Sequence, residues 1–248
     1  MNLILFNTDE IDNSGRIKLT ERDPRTVHMK KILKADIGFS FEAGIINGKQ
    51  GRATVSAIKD GELTLNFIPE SDPVGLHPIT LLLGLSRPPT VKKVLKEATA
   101  LGVSRFILFG TENGEKSYKN SNALKPDKIL DVLIEGVQQA VCTQIPEVSI
   151  EHSLRCAIEA LAAPQGTLMQ ALDNYEAVMS LSEYWRNAAP GAPHTILAVG
   201  SERGWTDRER VRLRNSGFTL CSLGPRVLRT ETASIAGTAL CLSGMGII

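Results

Sequence analysis

The chain has 248 residues, of which 42% are hydrophobic, and its 28 Lys and Arg residues nearly balance its 27 Asp and Glu residues, for a net charge of +1. The apolar content is enough for an ordinary buried core, and the balanced charge excludes a uniformly basic protein that coats nucleic acid. No apolar run reaches the roughly 18 residues that a membrane helix needs, and residues 1–10 lack the basic leader and apolar core of a secretion signal. We therefore expect a soluble, cytoplasmic protein with no membrane partner.

The four cysteines show neither CxxC spacing nor histidines placed as partners, which disfavours both a zinc site and a disulfide framework. They are Cys142, Cys156, Cys221 and Cys241. We expect them to be buried as small hydrophobic residues, and we expect no metal.

The first seventy residues predict short strands joined by hairpin turns. The dipeptides Asn47-Gly48 and Asp60-Gly61 suit type I′ turns, and they separate predicted strands at 39–46, 51–58 and 62–67. Apolar and polar residues alternate in the second and third of these strands, so each has one buried face. This pattern favours a small antiparallel barrel.

A basic segment precedes these strands. Residues 16–34 hold seven Lys or Arg against Glu21 and Asp23, a local excess of five positive charges. Such a patch could bind a phosphate backbone, but a solvated Lys-rich surface is the commoner reason for such a run. Charge alone does not decide between these interpretations. The basic residues are Arg16, Lys18, Arg22, Arg25, Lys30, Lys31 and Lys34.

Beyond a linker at residues 69–78, which contains three prolines, the pattern changes to strands that alternate with helices. An unbroken apolar strand at 79–85 is followed by apolar residues at helical spacing over 91–101, with Thr90 as the candidate N-cap and Gly102 as the helix end. The further predicted elements are a strand at 105–109, a helix around 129–141 with Pro126 near its start, a helix at 153–161, and strands at 167–172 and 195–199. This order predicts a parallel α/β domain.

Two glycine-containing loops follow predicted strands, at the place where open α/β sheets bind ligands. The first, residues 200–205, lies between the strand that ends at Val199 and a helix that Thr206 and Glu209 open as a capping box. A strand, a glycine loop and a helix N-terminus form a general ligand cradle. A tight connection without a ligand is an equally good interpretation of this loop taken alone.

The second loop, residues 223–233, follows a predicted strand at 218–222 and is harder to explain as a simple connection. Arg226 and Arg229 lie beside apolar residues between a buried strand and a helix, and charged groups in such places are usually paired or functional. The helix that follows is rich in small residues, which would let another backbone approach closely. These residues are Ala233, Ala236, Gly237, Ala239 and Ser243.

Four segments of the chain match motifs of one protein family. Residues 223–233 match its LGPRILRTETA signature except at Val227, and residues 200–206 resemble its GPEGGF loop. Residues 27–34 are similar to its HHxxxVLR stretch, and residues 97–103 to its KATELGV helix. The segments also come in the family's order, so the chain resembles the RsmE-type methyltransferases of the SPOUT superfamily along its whole length.

The resemblance implies a fold, an activity and partners. The expected fold is α/β, with a PUA-like β-barrel RNA-binding domain at residues 1–72 and a SPOUT domain at 73–248 whose C-terminal chain forms a trefoil knot. The expected activity is S-adenosylmethionine-dependent methylation of N3 of a uridine in 16S ribosomal RNA of the small ribosomal subunit. RNA and a second copy of the chain, in a homodimer, are the implied partners, and no metal is required.

The resemblance also implies roles for individual residues. Arg229 would stabilise the uracil anion that forms when N3 loses its proton, and Glu231 would accept that proton or orient Arg229. Glu202 is the second candidate acceptor, and either glutamate could instead be a helix cap. The residues expected to bind the methyl donor are Leu172, Gly200, Glu202, Gly204, Leu223, Gly224, Pro225, Val227, Leu228 and Thr232. The residues expected to bind RNA are Arg25, His28, Lys30, Lys34, Arg87 and Arg226.

Several positions depart from the family pattern, and they leave alternatives open. The departures are Lys34, Arg87, Glu97, Ala100, Cys142, Ser201 and Arg203. One alternative is a catalytically idle RNA-binding or ribosome-assembly protein, and another is a methyltransferase for a different RNA site. An unrelated nucleotide-binding protein is disfavoured, because the sequence has neither a GxGxxG nor a GKS/GKT phosphate loop.

Overall fold

The computed structural model describes residues 3–188 and 191–248, except the side chain of Lys116. The chain divides into two compact units, Met1–Gly75 with Val137–Ile145, and Leu76–Gly136 with Pro146–Ile248. The first unit is therefore discontinuous in sequence, whereas the sequence predicts contiguous domains at residues 1–72 and 73–248.

The first unit is built on one five-stranded sheet. Its elements are β1 (Ile4–Phe6), a 3-10 turn (Thr8–Glu10), β2 (Arg16–Leu19), α1 (Pro24–Lys31), β3 (Ser40–Ile45), β4 (Gln50–Lys59) and β5 (Glu62–Ser71). The strand order is β1-β3-β4-β5-β2, and all neighbours are antiparallel except β1 and β3. The two edge strands do not pair with each other along the described chain, so the predicted barrel is an open half-barrel.

Alternation places the core of this unit on one face of the sheet, because successive side chains of a strand point to opposite faces. In β5, Leu63, Leu65 and Phe67 are buried while Glu62 and Asn66 are exposed. The predicted one-sided burial of this strand is confirmed. Other members of the same core are Phe6, Ile17, Leu19, Met29 and Val55.

Of the two predicted type I′ turns, one is confirmed and one is wrong. Asp60 and Gly61 both have positive φ, 48° and 85°, as this turn type requires. At the other dipeptide only Asn47 has a positive φ, 57°, and the connection runs over residues 46–49. The physical reason is a long-range contact, because the Asn47 backbone N–H donates to the carbonyl of Thr143 at 2.8 Å.

The segment Val137–Ile145 packs onto this same connection. Thr143 Oγ1 donates to the carbonyl of Gly48 at 2.6 Å. A Cβ added at Gly44 of β3 would lie only 2.5 Å from Thr143 Cγ2. Glycine at position 44 is therefore needed for the segment to approach the sheet.

The second unit contains a seven-stranded sheet in which every neighbouring pair is parallel. Its strands are β6 (His77–Gly84), β7 (Val103–Phe109), β8 (Glu147–Glu151), β9 (Leu168–Leu172), β10 (Met179–Ser180), β11 (Thr195–Val199) and β12 (Thr219–Ser222), in the order β10-β12-β9-β11-β6-β7-β8. The helices are α2 (Pro88–Ala100), α3 (Pro126–Gln139), α4 (Leu154–Glu159), α5 (Leu181–Asn187), α6 (Asp207–Asn215) and α7 (Thr230–Gly244), with 3-10 turns at Lys116–Asn120 and Asn122–Leu124. The predicted parallel α/β domain is confirmed.

Helix α2 begins about one turn earlier than the sequence predicts. The helix begins at Pro88 with Arg87 as its N-cap, so the prediction that Thr90 caps it is wrong. Proline suits the first helical position because its φ is already helical and it lacks the N–H that would be unsatisfied there. The predicted helix end is confirmed, since Gly102 follows the helix with φ 81°.

Helix α7 turns a small residue toward its own sheet. Gly237 is buried, and a Cβ there would lie 2.9 Å from Leu197 Cδ2 and 3.0 Å from Leu172 Cδ1. Side chains of β9 and β11, and not another backbone, therefore lie against Gly237 within the same chain. Ala236 and Ala239 are partly exposed.

Two of the four cysteines, Cys221 and Cys241, are buried as predicted, whereas Cys142 and Cys156 are only half-buried. Burial raises the pKa of Cys221 and Cys241 to about 12. Within residues 3–188 and 191–248, no three His, Cys, Asp or Glu residues are placed to hold a metal ion. No helix in those ranges has the length and apolar content to cross a membrane.

Candidate active site

Four neighbouring parallel strands, β12, β9, β11 and β6, end side by side at one edge of the sheet of the second unit. The loops that follow them and the first turn of α7 line a cavity of about 680 Å³. This volume lies within the roughly 300–1,000 Å³ that is usual for small-molecule sites. Because α/β sheets bind ligands at the carboxyl ends of their strands, the cavity is the candidate active site.

The cavity brings together the two glycine loops that the sequence singles out. The predicted site residues that line it are Arg87, Leu172, Gly200, Glu202, Gly204, Leu223, Val227, Leu228, Arg229 and Glu231. Those that belong to the same loop or helix turn without lining it are Gly224, Pro225, Arg226 and Thr232. Those that lie in the first unit are Arg25, His28, Lys30 and Lys34.

The loop after β11 keeps a tight turn although it departs from the family pattern. Ser201 and Gly204 form a bridge, with the Gly204 N–H donating to the Ser201 carbonyl at 2.9 Å and Gly204 at φ 66°. Arg203 Nη1 donates to the carbonyl of Asn113 at 3.1 Å. A Cβ at Gly84, the end of β6, would lie 2.7 Å from the Ser201 nitrogen. The substituted loop is therefore held by contacts of its own.

Glu202 connects this loop to the start of α2. Its Oε1 accepts a hydrogen bond from the Arg87 backbone N–H at 2.8 Å. Arg87 is the N-cap of the helix, where a negative charge is favoured by the helix dipole. The structure thus gives Glu202, which lines the cavity, the capping interaction that the sequence left as an alternative.

Trp205 is a buried support that the sequence analysis did not identify. Its Nε1 donates to the carbonyl of Leu172 at 2.8 Å, and its ring stacks on Phe109 at a centroid distance of 6.0 Å and an interplanar angle of 6°. The indole therefore fixes the loop after β11 against the end of β9. The feature of the sequence that could have identified this support is a tryptophan directly after Gly204 at the end of the loop.

A buried ion pair shapes the loop after β9, and sequence reasoning also missed it. Arg210 Nε of α6 donates to Asp173 Oδ2 at 2.7 Å, with the two side chains 8% and 2% exposed. Burial by itself would raise the pKa of Asp173, but the hydrogen bonds from Arg210 and from two backbone N–H groups outweigh it, so this pKa is lowered. These donors are the N–H groups of Tyr175 and Glu176, each 3.2 Å away.

The two predicted catalytic residues lie at the start of α7. Arg229 is the exposed N-cap residue, and its side chain makes no capping hydrogen bond. Glu231 lies in the first turn and is half-buried. Along the described chain no hydrogen bond or ion pair joins the two side chains, and the exposed Arg229 guanidinium has no other ion-pair partner there.

The predicted RNA-binding residues of the first unit are engaged to different degrees. Arg25 is tied inward by ion pairs with Glu10 and Asp23, and its guanidinium carbon lies 5.1 Å from the centroid of the Phe6 ring. Its hydrogen bonds help to lower the pKa of Glu10. Lys30 Nζ donates to a backbone carbonyl of the β4–β5 turn. His28 is half-buried, and Lys34 is exposed.

Comparisons with known proteins agree with this fold. Residues 74–242 match the RNA methyltransferase domain family. The chain is 35% identical to ribosomal RNA small subunit methyltransferase E of Treponema pallidum, over 98% of this chain and 91% of that protein. It is 30% identical to ribosomal RNA small subunit methyltransferase E 1 of Borreliella burgdorferi, over 98% of each chain.

Two solved structures share the fold over nearly the whole chain. One is a protein of Legionella pneumophila described as a methyltransferase in complex with S-adenosylmethionine, with a TM-score of 0.79 at 23% identity, covering 98% of this chain and 97% of that one. The other is ribosomal RNA small subunit methyltransferase E of Neisseria gonorrhoeae bound to S-adenosylmethionine, with a TM-score of 0.75 at 21% identity over 97% of each chain. They confirm the predicted fold class. Since the domain match covers more than half of the sequence and the Treponema relative nearly all of it, the chain belongs to the ribosomal RNA small subunit methyltransferase E family.

Proposed function

We propose that this protein is an S-adenosylmethionine-dependent methyltransferase that acts on small-subunit ribosomal RNA at N3 of a uridine. The observation that carries the proposal is the cavity at the strand ends, which Arg229 and Glu231 line together. The family membership supports RNA methylation, and the names of the relatives support small-subunit RNA as the substrate. The choice of uridine N3 comes from the resemblance of the signature segment, residues 223–233.

The lining of the cavity fits a methyl donor of this class. Leu172, Val199 and Leu228 provide apolar walls that can cover a purine ring or a methylene chain, while Gly200 places no side chain between its backbone and the cavity. When bound, S-adenosylmethionine supplies an electrophilic methyl group to the acceptor nitrogen. Both solved structures described above hold this donor.

The residues at the start of α7 would prepare the acceptor. The N3 of uracil must lose its proton to present a lone pair, and this loss is disfavoured at neutral pH. The Arg229 guanidinium, exposed and unpaired within the described ranges, would stabilise the negative charge that develops on the base. Glu231, which makes no hydrogen bond or ion pair with Arg229 in the described chain, is the candidate to accept the proton; it could orient Arg229 only once a substrate brings the two side chains together.

RNA binding would fall to the cations that the fold leaves unengaged. In the segment 16–34 these are the exposed residues Arg16, Lys18, Arg22, Lys31 and Lys34. Arg25 is better assigned to stabilising the first unit, because its guanidinium is occupied by carboxylates. In the second unit, Arg87 and Arg226 are exposed and remain candidates for contact with phosphates.

The predictions of a trefoil knot, a PUA-like RNA-binding domain and a homodimer follow from the resemblance and stay predictions. Gly237 of α7 is used inside the subunit, so a dimer contact on this helix would involve its partly exposed residues, such as Ala236 and Ala239. Light scattering at micromolar protein concentration measures the mass in solution and therefore tests the homodimer directly.

Two measurements test the proposed function. Calorimetry should show binding of S-adenosylmethionine in the micromolar range, with a rise in melting temperature because the ligand binds the native state. Nucleoside mass spectrometry of ribosomal RNA from cells with and without the gene should then show one methylated uridine that depends on the gene. Donor binding without any lost modification would favour the catalytically idle alternative, and no binding at millimolar donor would contradict the enzyme.

A further inference from the structure

The loop after β9 presents an aromatic ring at the mouth of the cavity. Tyr175 lines the cavity and is 80% exposed, whereas Leu172, three residues earlier, also lines it and is 9% exposed. The buried strand end at Leu172 therefore lies at the bottom of the cavity, and Tyr175 lies at its mouth. A ring at the mouth contacts whatever enters from solvent after the depth is filled.

The ring is carried by a fixed piece of backbone. The Tyr175 N–H donates to Asp173 Oδ1 at 3.2 Å, and Asp173 is held by its buried ion pair with Arg210. On the other side, Glu176 pairs with Arg214 of the same helix α6. The loop is therefore anchored to α6 both before and after Tyr175. Binding a ligand should then cost little conformational entropy for ordering this loop.

One face of the ring is already covered and the other is open. The guanidinium carbon of Arg210 lies 5.4 Å from the centroid of the Tyr175 ring, within the roughly 6 Å typical of a cation–π contact. In the described part of the chain no second ring stacks on Tyr175. An anchored aromatic ring with one free face is the kind of surface on which unstacked bases are held by RNA-binding proteins.

We propose that Tyr175 stacks on the target base when the nucleotide enters the cavity. The inference rests on the proposed function, because it requires a nucleotide there. A base that leaves its neighbours loses stacking energy, and Tyr175 would return part of it. Because stacking uses the face of the base, it leaves the edge to Arg229 and Glu231, which line the same cavity. Tyr175 is thus a positioning residue.

The experiment compares the wild type with Tyr175→Ala, Tyr175→Phe and the matched control Val178→Ala. Val178 belongs to the same loop and is 70% exposed, but it does not line the cavity. The methylated nucleotide is first identified by mass spectrometry of RNA treated with the wild-type protein. RNA affinity is then measured with S-adenosylhomocysteine present, on an oligonucleotide with the target base and on one that is abasic at that position.

We expect Tyr175→Ala to weaken binding of the intact RNA by roughly 5- to 150-fold, the range for loss of one base-stacking contact. Tyr175→Phe keeps the ring that stacks, and Val178→Ala changes a residue that does not line the cavity, so both should stay within about twofold of the wild type. On the abasic RNA, Tyr175→Ala should cause no further loss. Calorimetric affinity for S-adenosylmethionine and the mass by light scattering should not change.

Several results would overturn the stacking role. An equal loss on intact and abasic RNA would show that the ring does not contact the target base. Weakened donor binding would assign the ring to the adenine of S-adenosylmethionine, and a changed mass would assign it to a contact between copies. A wild type that methylates no RNA overturns the proposed function as well, whereas a methylating wild type with an unimpaired Tyr175→Ala overturns the stacking alone.

Discussion

Two loops that line the cavity carry their charges in opposite ways. In the loop after β9, Asp173 and Glu176 are both paired with arginines of α6, and the first of these pairs is buried. In the loop after β12, Arg226 and Arg229 are exposed, and neither forms an ion pair along the described chain. The first loop is therefore a fixed wall, and the second presents positive charge to whatever binds.

The difference follows from what burial demands of a charge. A guanidinium as buried as that of Arg210 persists only with a partner, because an unpaired buried charge costs several kcal/mol. An exposed guanidinium such as that of Arg229 pays no such penalty and keeps its five N–H donors for a ligand. The position of an arginine thus separates a role in stability from a role in chemistry, and substitutions on the two loops should give opposite readouts.

The largest effect on stability is expected when the ion pair that fixes the loop after β9 is broken. Asp173→Asn removes the buried one of the two carboxylates that pair with Arg210, and it leaves this buried guanidinium with only the exposed Asp207. The free energy of unfolding should fall by about 3 kcal/mol, measured by urea denaturation. The matched control is Asp207→Asn, which also removes a carboxylate from Arg210 but at a side chain 93% exposed, and it should cost at most about 1 kcal/mol. Equal losses in the two variants would contradict the buried-pair interpretation.

The same pair predicts a dependence on pH. The pKa of Asp173 is lowered in the folded protein, so its stabilising contribution is complete above the unfolded pKa of about 3.9. The contribution is lost as the pH falls through the lower folded value. The difference in unfolding free energy between the wild type and Asp173→Asn should therefore narrow below about pH 4, and a difference that stays constant there would argue against an ionised Asp173.

The next effect concerns the other loop and appears in activity instead of stability. Arg229→Ala should reduce single-turnover methylation by roughly 10²- to 10³-fold, the usual loss for one group that stabilises transition-state charge. The free energy of unfolding should change by no more than about 0.5 kcal/mol, because the side chain is exposed and caps nothing. Arg208→Ala, an exposed arginine of α6 that does not line the cavity, is the control for loss of a positive charge. Full activity in Arg229→Ala would remove this residue from the mechanism.

Much of this site could be predicted from the sequence because the relevant signals are local. The alternation in β5, the apolar strands β6 and β11, and the two glycine loops each depend on residues that are close in the chain. Since carboxyl ends of parallel strands share one edge of a sheet, finding the loops was enough to expect them in one site. Gly200 and Arg229 accordingly line the same cavity.

The parts that the sequence did not reveal depend on partners far apart in the chain. Asp173 is fixed by Arg210, Trp205 by the carbonyl of Leu172, and the turn at Asn47 by Thr143. Nothing in a single sequence says which arginine an aspartate will pair with 37 positions away. For the same reason the basic segment 16–34 looked uniform, although the fold engages some of its cations and leaves others free.

The smallest predicted effect extends the contrast between engaged and free cations to that segment. Arg25 is occupied by Glu10 and Asp23, whereas Arg22, Lys31 and Lys34 are exposed. If the free cations bind RNA phosphates, replacing these three by alanine should lower RNA affinity and reduce the slope of log affinity against log salt by about 0.7 for each lost contact with a single strand.

The charge-matched control for this triple variant replaces three exposed lysines outside the segment, Lys59, Lys93 and Lys125. It removes the same net charge, so any effect of overall charge on association appears in both proteins, while only the first variant should lose local contacts and flatten the salt dependence. Calorimetric affinity for S-adenosylmethionine should be unchanged in both, because the substituted residues do not line the cavity. If the two variants give the same salt slope, the basic segment is a solvated surface, and the phosphates must meet exposed cations of the second unit such as Arg87 and Arg226.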